Sequence, residues 1–69
     1  MPNANIIGKK IKELREANNI SREIFCEEVG ISLSALSMYE TGQRIPRDEI
    51  KLSIARCLKT SIEALFFTT

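Results

Sequence analysis

Two short segments with apolar residues at helical spacing, joined by a turn that contains a glycine, constrain the fold of this chain more than any other feature, and they lie within residues 22–39. A serine stands directly before each segment, at Ser21 and Ser32, where its hydroxyl can accept a backbone N–H bond left open at a helix start. Gly30 can adopt the left-handed conformation that ends one helix shortly before another begins. Cys26 supplies the small residue that two crossing helices need. The span therefore predicts two short helices packed at nearly a right angle.

The rest of the chain also carries the spacing of amphipathic helices. Isoleucine and leucine recur every three or four residues near the N-terminus, which predicts a first helix from about residue 5 to residue 17. Pro46 is expected in the first turn of a fourth helix, and Ser61 at the cap of a short fifth helix that ends at Phe66. No segment has the alternation of a strand. The 69 residues therefore predict a compact all-α domain of five helices, residues 1–69, without a second domain.

Composition excludes several kinds of functional site. The chain contains no histidine, which rules out histidine-based catalytic triads and zinc sites with histidine ligands. Its two cysteines, Cys26 and Cys57, are too few for a four-cysteine zinc site. Two reduced thiols are favoured over one disulfide, and both alternatives stay open. Glu27 and Glu28 are adjacent on a helix and do not face a shared site. We expect no metal, no cofactor, no small-molecule ligand and no enzymatic activity.

The chain carries no sign of a membrane or secretory destination. No apolar run approaches the ~18 residues that a bilayer requires. The segment 1–7 is too short and too uncharged for a signal peptide. We therefore expect the protein in the cytoplasm.

Charge is distributed unevenly, although the net charge at pH 7 is only +1. Residues 1–22 carry a net charge of +3, residues 23–42 one of −4, and residues 43–59 again one of +3. If folding brings the two basic segments to one side, the protein has a positive face that suits a polyanion. An ordinary surface of mixed, solvated charge is the alternative.

The sequence resembles the phage Cro/CI-type helix-turn-helix regulators, also called the XRE family, over nearly its whole length. The residues that carry the resemblance fall in the ranges 7–15, 21–30, 36–46 and 64–66. The resemblance implies a lambda-repressor-like fold in which the second and third helices form the helix-turn-helix. It also implies sequence-specific binding of double-stranded DNA by a transcriptional repressor that occupies an operator as a homodimer.

The third helix carries the residues that the resemblance places against base edges. Helical periodicity puts Ala35, Leu36 and Tyr39 on one side of this helix. The opposite side, with the residue at the helix start, is implied to enter the major groove: Ser32, Leu33, Ser34, Ser37 and Met38. A serine hydroxyl can donate to or accept from several base edges. For Leu33 and Met38 we expect contacts with thymine methyl groups or sugars; an inert surface and a protein interface are the alternatives.

The resemblance assigns three further roles. Contacts with DNA phosphates are implied for the start of the second helix and for the turn after the third, at Ser21, Arg22, Thr41, Gln43 and Arg44. An ion pair between Arg15 and Glu40, buried or half-buried, is implied to hold the third helix in place. A dimer contact is expected at Phe67, because Ile62, Leu65 and Phe66 account for the inward side of the last helix.

Two other functions remain open at this point. One is a protein interaction module that docks a partner on the apolar residues of the third helix. The other is an antitoxin or a restriction-control protein, which would also bind DNA but would serve a different regulatory circuit.

Overall fold

The computed structural model describes residues 4–67, with side chains up to residue 66. Four α-helices are present: α1 (Ala4–Ala17), α2 (Arg22–Val29), α3 (Leu33–Glu40) and α4 (Asp48–Cys57). A π-helical turn, Glu63–Phe67, follows them. No strand occurs within the described range. The prediction of an all-α fold with five helical segments is confirmed.

Serine side chains begin both helices of the 22–39 span. The Ser21 hydroxyl accepts a hydrogen bond from the backbone N–H of Ile24 at 3.2 Å, and the Ser32 hydroxyl accepts one from Ala35 at 3.0 Å. Between the helices, Gly30 has φ 83°, in the left-handed region, and its N–H donates to the carbonyl of Cys26. The turn predicted from the sequence is therefore present.

The C-terminal half differs from the sequence-based prediction in two details. The N–H of Lys51 donates to the carbonyl of Arg47, so α4 begins only after Arg47, and Pro46 lies buried ahead of the helix rather than in its first turn. The last segment is the wider π-helical form instead of an α-helix. Ser61 nevertheless caps it, because its hydroxyl accepts the N–H of Ala64 at 3.0 Å.

One apolar core joins all five segments. It consists of Ile7, Ile11, Phe25, Cys26, Val29, Leu36, Tyr39, Ile54, Leu58, Leu65 and Phe66. Helices α1 and α3 are in close contact at Gly8, where an added Cβ would lie 2.7 Å from the carbonyl oxygen of Glu40. Because only glycine leaves room for that backbone, Gly8 sets the distance at which α3 packs on α1.

Both cysteines are free thiols. Cys26 is buried where α2 meets α3, and its Sγ donates to the carbonyl of Ser32 at 3.5 Å. Cys57 donates to a carboxylate oxygen of Glu28 at 3.2 Å. Desolvation, followed by this bond and the Glu28 charge, raises the pKa of the Cys57 thiol to about 11.

Within residues 4–67, no helix combines the length and the apolar character needed to cross a membrane.

Candidate nucleic-acid interface

Helix α3 is anchored on one side and open on the other. Leu36 and Tyr39 are buried in the core. The opposite side begins with Ser32, Leu33 and Ser34, which are all exposed, and Leu33 leaves 45% of its surface in solvent. The first turn of α3 is therefore free to meet a ligand along its outer side.

Ser37 and Met38 are less exposed than helical periodicity predicts, since both are half-buried. For Ser37 the structure shows a reason. Arg22, the first residue of α2, extends across to α3, and its Nη2 donates a hydrogen bond to the Ser37 hydroxyl. Sequence reasoning placed the two residues in separate groups, one for phosphates and one for bases, and missed this contact.

The end of α3 is tied to α1 by a buried ion pair. Arg15 Nε lies 2.8 Å from Glu40 Oε2, and the side chains are only 8% and 4% exposed. Arg15 also donates from Nη1 to the carbonyl of Ile20 at 3.0 Å, in the loop between α1 and α2. The hydrogen bond to Glu40 is the main cause that raises the pKa of Arg15 above its ordinary value. A buried pair of this kind specifies geometry more than it adds net stability.

Glu40 has a second cationic neighbour. Arg22 Nη1 lies 3.9 Å from Glu40 Oε1, and the Arg22 side chain is 42% exposed. Glu40 therefore stands between a buried arginine and a partly exposed one. The three side chains link α1, α2 and α3 at a single point.

The turn after α3 folds back onto the helix. The N–H groups of Gln43 and Arg44 both donate to the carbonyl of Met38, at 2.9 and 3.3 Å. The Thr41 hydroxyl donates to the carbonyl of Ser37 at 2.7 Å and accepts from Gln43 Nε2 at 2.9 Å. Thr41, Gln43 and Arg44 are all exposed, as is Ser21. Of the residues with an implied phosphate role, Thr41, Gln43 and Arg44 thus lie at the C-terminal end of α3, and Arg22 reaches Ser37.

The other basic residues do not all gather around α3. Lys10 Nζ donates to the carbonyl of Ala64 at 3.4 Å, so it reaches the C-terminal turn. Lys51 Nζ lies 5.4 Å from the centre of the Phe66 ring. Lys10 belongs to the basic segment 1–22 and Lys51 to the basic segment 43–59. Each basic segment therefore directs one lysine toward the C-terminal turn instead of toward α3. The side chain of Phe67, the expected dimer contact, is outside the described part of the chain.

The family model described as helix-turn-helix matches residues 11–65 of the chain. The chain belongs to the helix-turn-helix family. The resemblance to Cro/CI-type regulators is thereby confirmed.

Relatives of this helix-turn-helix chain include regulators from phages and bacteria. The cryptic phage CTXphi transcriptional repressor RstR of Vibrio cholerae is 34% identical over 59 residues, which are 86% of this chain and 53% of the relative. The chain therefore spans about half the length of that repressor.

Solved structures agree with the family and with the fold. The P22 c2 repressor, in complex with the synthetic operator 9T, has a TM-score of 0.85 and 26% identity, covering 88% of this chain and 92% of that one. The restriction-modification controller protein C.AhdI from Aeromonas hydrophila has a TM-score of 0.84 and 28% identity, covering 91% and 96%. The predicted lambda-repressor-like architecture is confirmed.

Proposed function

We propose that this chain is a sequence-specific DNA-binding transcriptional repressor that occupies an operator in the cytoplasm and catalyses no reaction. The observation that carries the proposal is the exposed first turn of α3 in a helix-turn-helix chain. In this proposal Ser32, Leu33, Ser34, Ser37 and Met38 face the base edges of the major groove. The likeness to the P22 c2 repressor, solved with operator DNA, supports it.

Phosphate contacts are proposed for Ser21, Arg22, Thr41, Gln43 and Arg44. Exposed hydroxyl, amide and guanidinium groups bind phosphate oxygens and fix the register of a protein on the duplex. The exposure of Ser21, Thr41, Gln43 and Arg44, and the position of the last three directly after α3, support this role.

A mobility-shift titration tests the binding, with duplex DNA that flanks the gene of this protein. The affinity should fall steeply as salt rises, and Arg44→Ala should reduce the slope of log affinity against log salt by about 1. Arg56 is a matched control, because it is an exposed arginine on α4 beside Glu28 and Cys57. Arg56→Ala should leave the slope unchanged. Absence of any preference for the flanking DNA over a shuffled duplex would refute the proposal.

The apolar residues of α3 distinguish operator binding from a protein interaction module. The base feature that suits Leu33 and Met38 is the thymine C5-methyl group. Replacing thymine by uracil removes one methyl group, worth ~0.8 kcal/mol, and should weaken binding about fourfold at a contacted position. Leu33→Ala or Met38→Ala should abolish the effect at the matching position. Tolerance of uracil everywhere, with loss of function in both variants, would favour a protein partner.

A homodimer is part of the proposal, because one α3 reads only a few base pairs and two half-sites ~34 Å apart give useful specificity. The C-terminal turn is the proposed contact through Phe67, because helical spacing assigns the inward side of this segment to Ile62, Leu65 and Phe66. Sedimentation of the free protein and of its operator complex tests this. A monomer under both conditions would refute the dimer, and an intact dimer in Phe67→Ser would refute only the assigned residue.

A restriction-control role is a second candidate, favoured by the likeness to C.AhdI. Such a protein would use the same face of α3. The position of its binding site relative to restriction and methylation genes separates the two roles.

A further inference from the structure

The contact between Arg22 and Ser37 joins a residue proposed for phosphates to a residue proposed for bases. Arg22 Nη2 donates to the Ser37 hydroxyl, while Nη1 of the same guanidinium lies 3.9 Å from Glu40 Oε1. Ser37 and Glu40 are three positions apart on α3 and therefore lie on the same side of the helix. The guanidinium spans this pair from the start of α2.

The position of Arg22 is set by groups that are themselves fixed. Glu40 is 4% exposed and accepts from Arg15 through both carboxylate oxygens, at 2.8 and 3.5 Å. Arg22 is 42% exposed, so part of its guanidinium remains open to solvent. A guanidinium carries five N–H donors in a planar fork, and the Ser37 bond uses one of them. Nη1 lies toward Glu40, and the exposure of the side chain leaves part of the remaining donors accessible to a DNA base edge or a phosphate.

The bond changes the chemistry of Ser37. A free serine hydroxyl can donate or accept, which makes it a poor reader of base identity. Here a cationic N–H occupies one lone pair of the oxygen, and the nearby positive charge disfavours the approach of another donor. The O–H hydrogen stays available. Ser37 and Arg22 together therefore present donors, with little capacity to accept.

We propose that Arg22 and Ser37 act as one donor unit that selects guanine at a single base pair of each half-site. Guanine presents two acceptors in the major groove, N7 and O6, whereas cytosine presents an amino donor. Arg22 is then a specificity-determining residue, beyond any contact it makes with a phosphate. This inference rests on the proposed function.

The experiment begins by selecting operators for the wild-type protein from a pool of random duplexes. Every base pair of a selected operator is then changed in turn, and the dissociation constant is measured at one salt concentration. In the wild type, replacing guanine by cytosine at one position of each half-site should weaken binding about tenfold or more. Ser37→Ala and Arg22→Met should each reduce that discrimination to less than about threefold, because either change removes the donor unit.

Two variants control for structural effects. Arg22→Lys keeps the positive charge but not the planar fork, so it should retain the salt dependence of binding and lose most of the discrimination. Arg56→Met removes an exposed arginine of α4 and should leave the preference at this position unchanged. Thermal unfolding of each variant shows that it is folded at the assay temperature.

The experiment separates failure of this inference from failure of the proposed function. If Arg22→Met weakens binding to all sequences equally and leaves the guanine preference intact, Arg22 contacts phosphate alone and the inference is wrong while the proposed function stands. If the wild type selects no sequence from the pool, both are wrong.

Discussion

The helix-turn-helix half of the molecule contains α1, α2 and α3, and the C-terminal half contains α4 and the π-helical turn. Different kinds of interaction hold the two halves. In the first half, α3 is fixed by the buried pair of Arg15 and Glu40 and by serine caps on α2 and α3. In the second half, α4 has no side-chain cap at Arg47, and its ion pair joins Lys51 to an Asp48 side chain that is 99% exposed. Apolar burial holds the C-terminal half in place, together with the Ser61 cap and the hydrogen bonds that Lys10 and Cys57 form between the halves.

This difference indicates which helix has to be held in a defined position and rotation. Hydrophobic burial is strong but non-directional, so it fixes the position of a helix better than its rotation. Buried polar pairs are directional and tolerate little displacement. Their concentration around α3 suits a helix whose outer side has to match a ligand. The helices of the C-terminal half do not need their orientation fixed as closely.

The largest expected effect is from Glu40→Ala, which leaves Arg15 buried without its carboxylate. We expect the free energy of unfolding, measured with urea, to fall by about 3–5 kcal/mol. Asp48→Ala removes the exposed pair of the other half and should produce a change near the limit of measurement. Replacing Arg15 and Glu40 together by apolar residues should recover much of the loss. Similar losses for Glu40→Ala and Asp48→Ala would contradict the difference between the two halves.

A second prediction concerns the contact of α1 with α3. Gly8→Ala places a methyl group against the carbonyl oxygens of Tyr39 and Glu40, which are backbone atoms that cannot rotate away. We expect a loss of about 1–3 kcal/mol, even though alanine favours a helix over glycine by up to ~1 kcal/mol. Ser53→Ala on α4 is the control and should have little effect. A more stable Gly8→Ala protein would show that α1 can shift.

The helix caps lead to a third prediction. Ser32→Ala removes the bond to the N–H of Ala35 and should cost ~1 kcal/mol. Arg47→Ser introduces a capping hydroxyl where α4 has none and should stabilise the protein by about 0.5–1 kcal/mol. Thermal unfolding of both variants measures the shifts. If both substitutions shift the unfolding temperature in the same direction, the cap at Ser32 and the missing cap at Arg47 do not account for a difference between the two halves.

The effect expected at Cys57 appears only at alkaline pH and is absent at neutral pH. The fold raises the pKa of this thiol from its ordinary value of 9.0 to about 11, so the folded state holds the proton more tightly. The resulting stabilisation is complete below pH 9 and is lost as the pH rises through about 11. Unfolding free energies at about pH 8 and 10.5 should therefore differ less in Cys57→Ser than in the wild type. If the difference between the two pH values is the same in the wild type and in Cys57→Ser, burial and the Glu28 contact do not raise the pKa of the Cys57 thiol.

The sequence alone determined the positions of the helices, apart from the start of α4 and the π-helical form of the last segment, together with the serine caps and the left-handed turn at Gly30. These features depend on residues within one helical turn of each other, so local spacing is enough to predict them. The pairing of Arg15 with Glu40 was implied only by the family resemblance. Nothing in the local pattern relates two residues that far apart.

The tertiary structure alone decided what Arg22 contacts. Its reach to Ser37 and Glu40 depends on how α2 crosses α3 and on the rotamer of a long side chain, neither of which is encoded in residue spacing. The same reason applies to Lys10, which reaches Ala64 in the C-terminal turn. Periodicity shows which side of a helix faces the core, but the neighbours of its polar side chains are settled only when the helices pack.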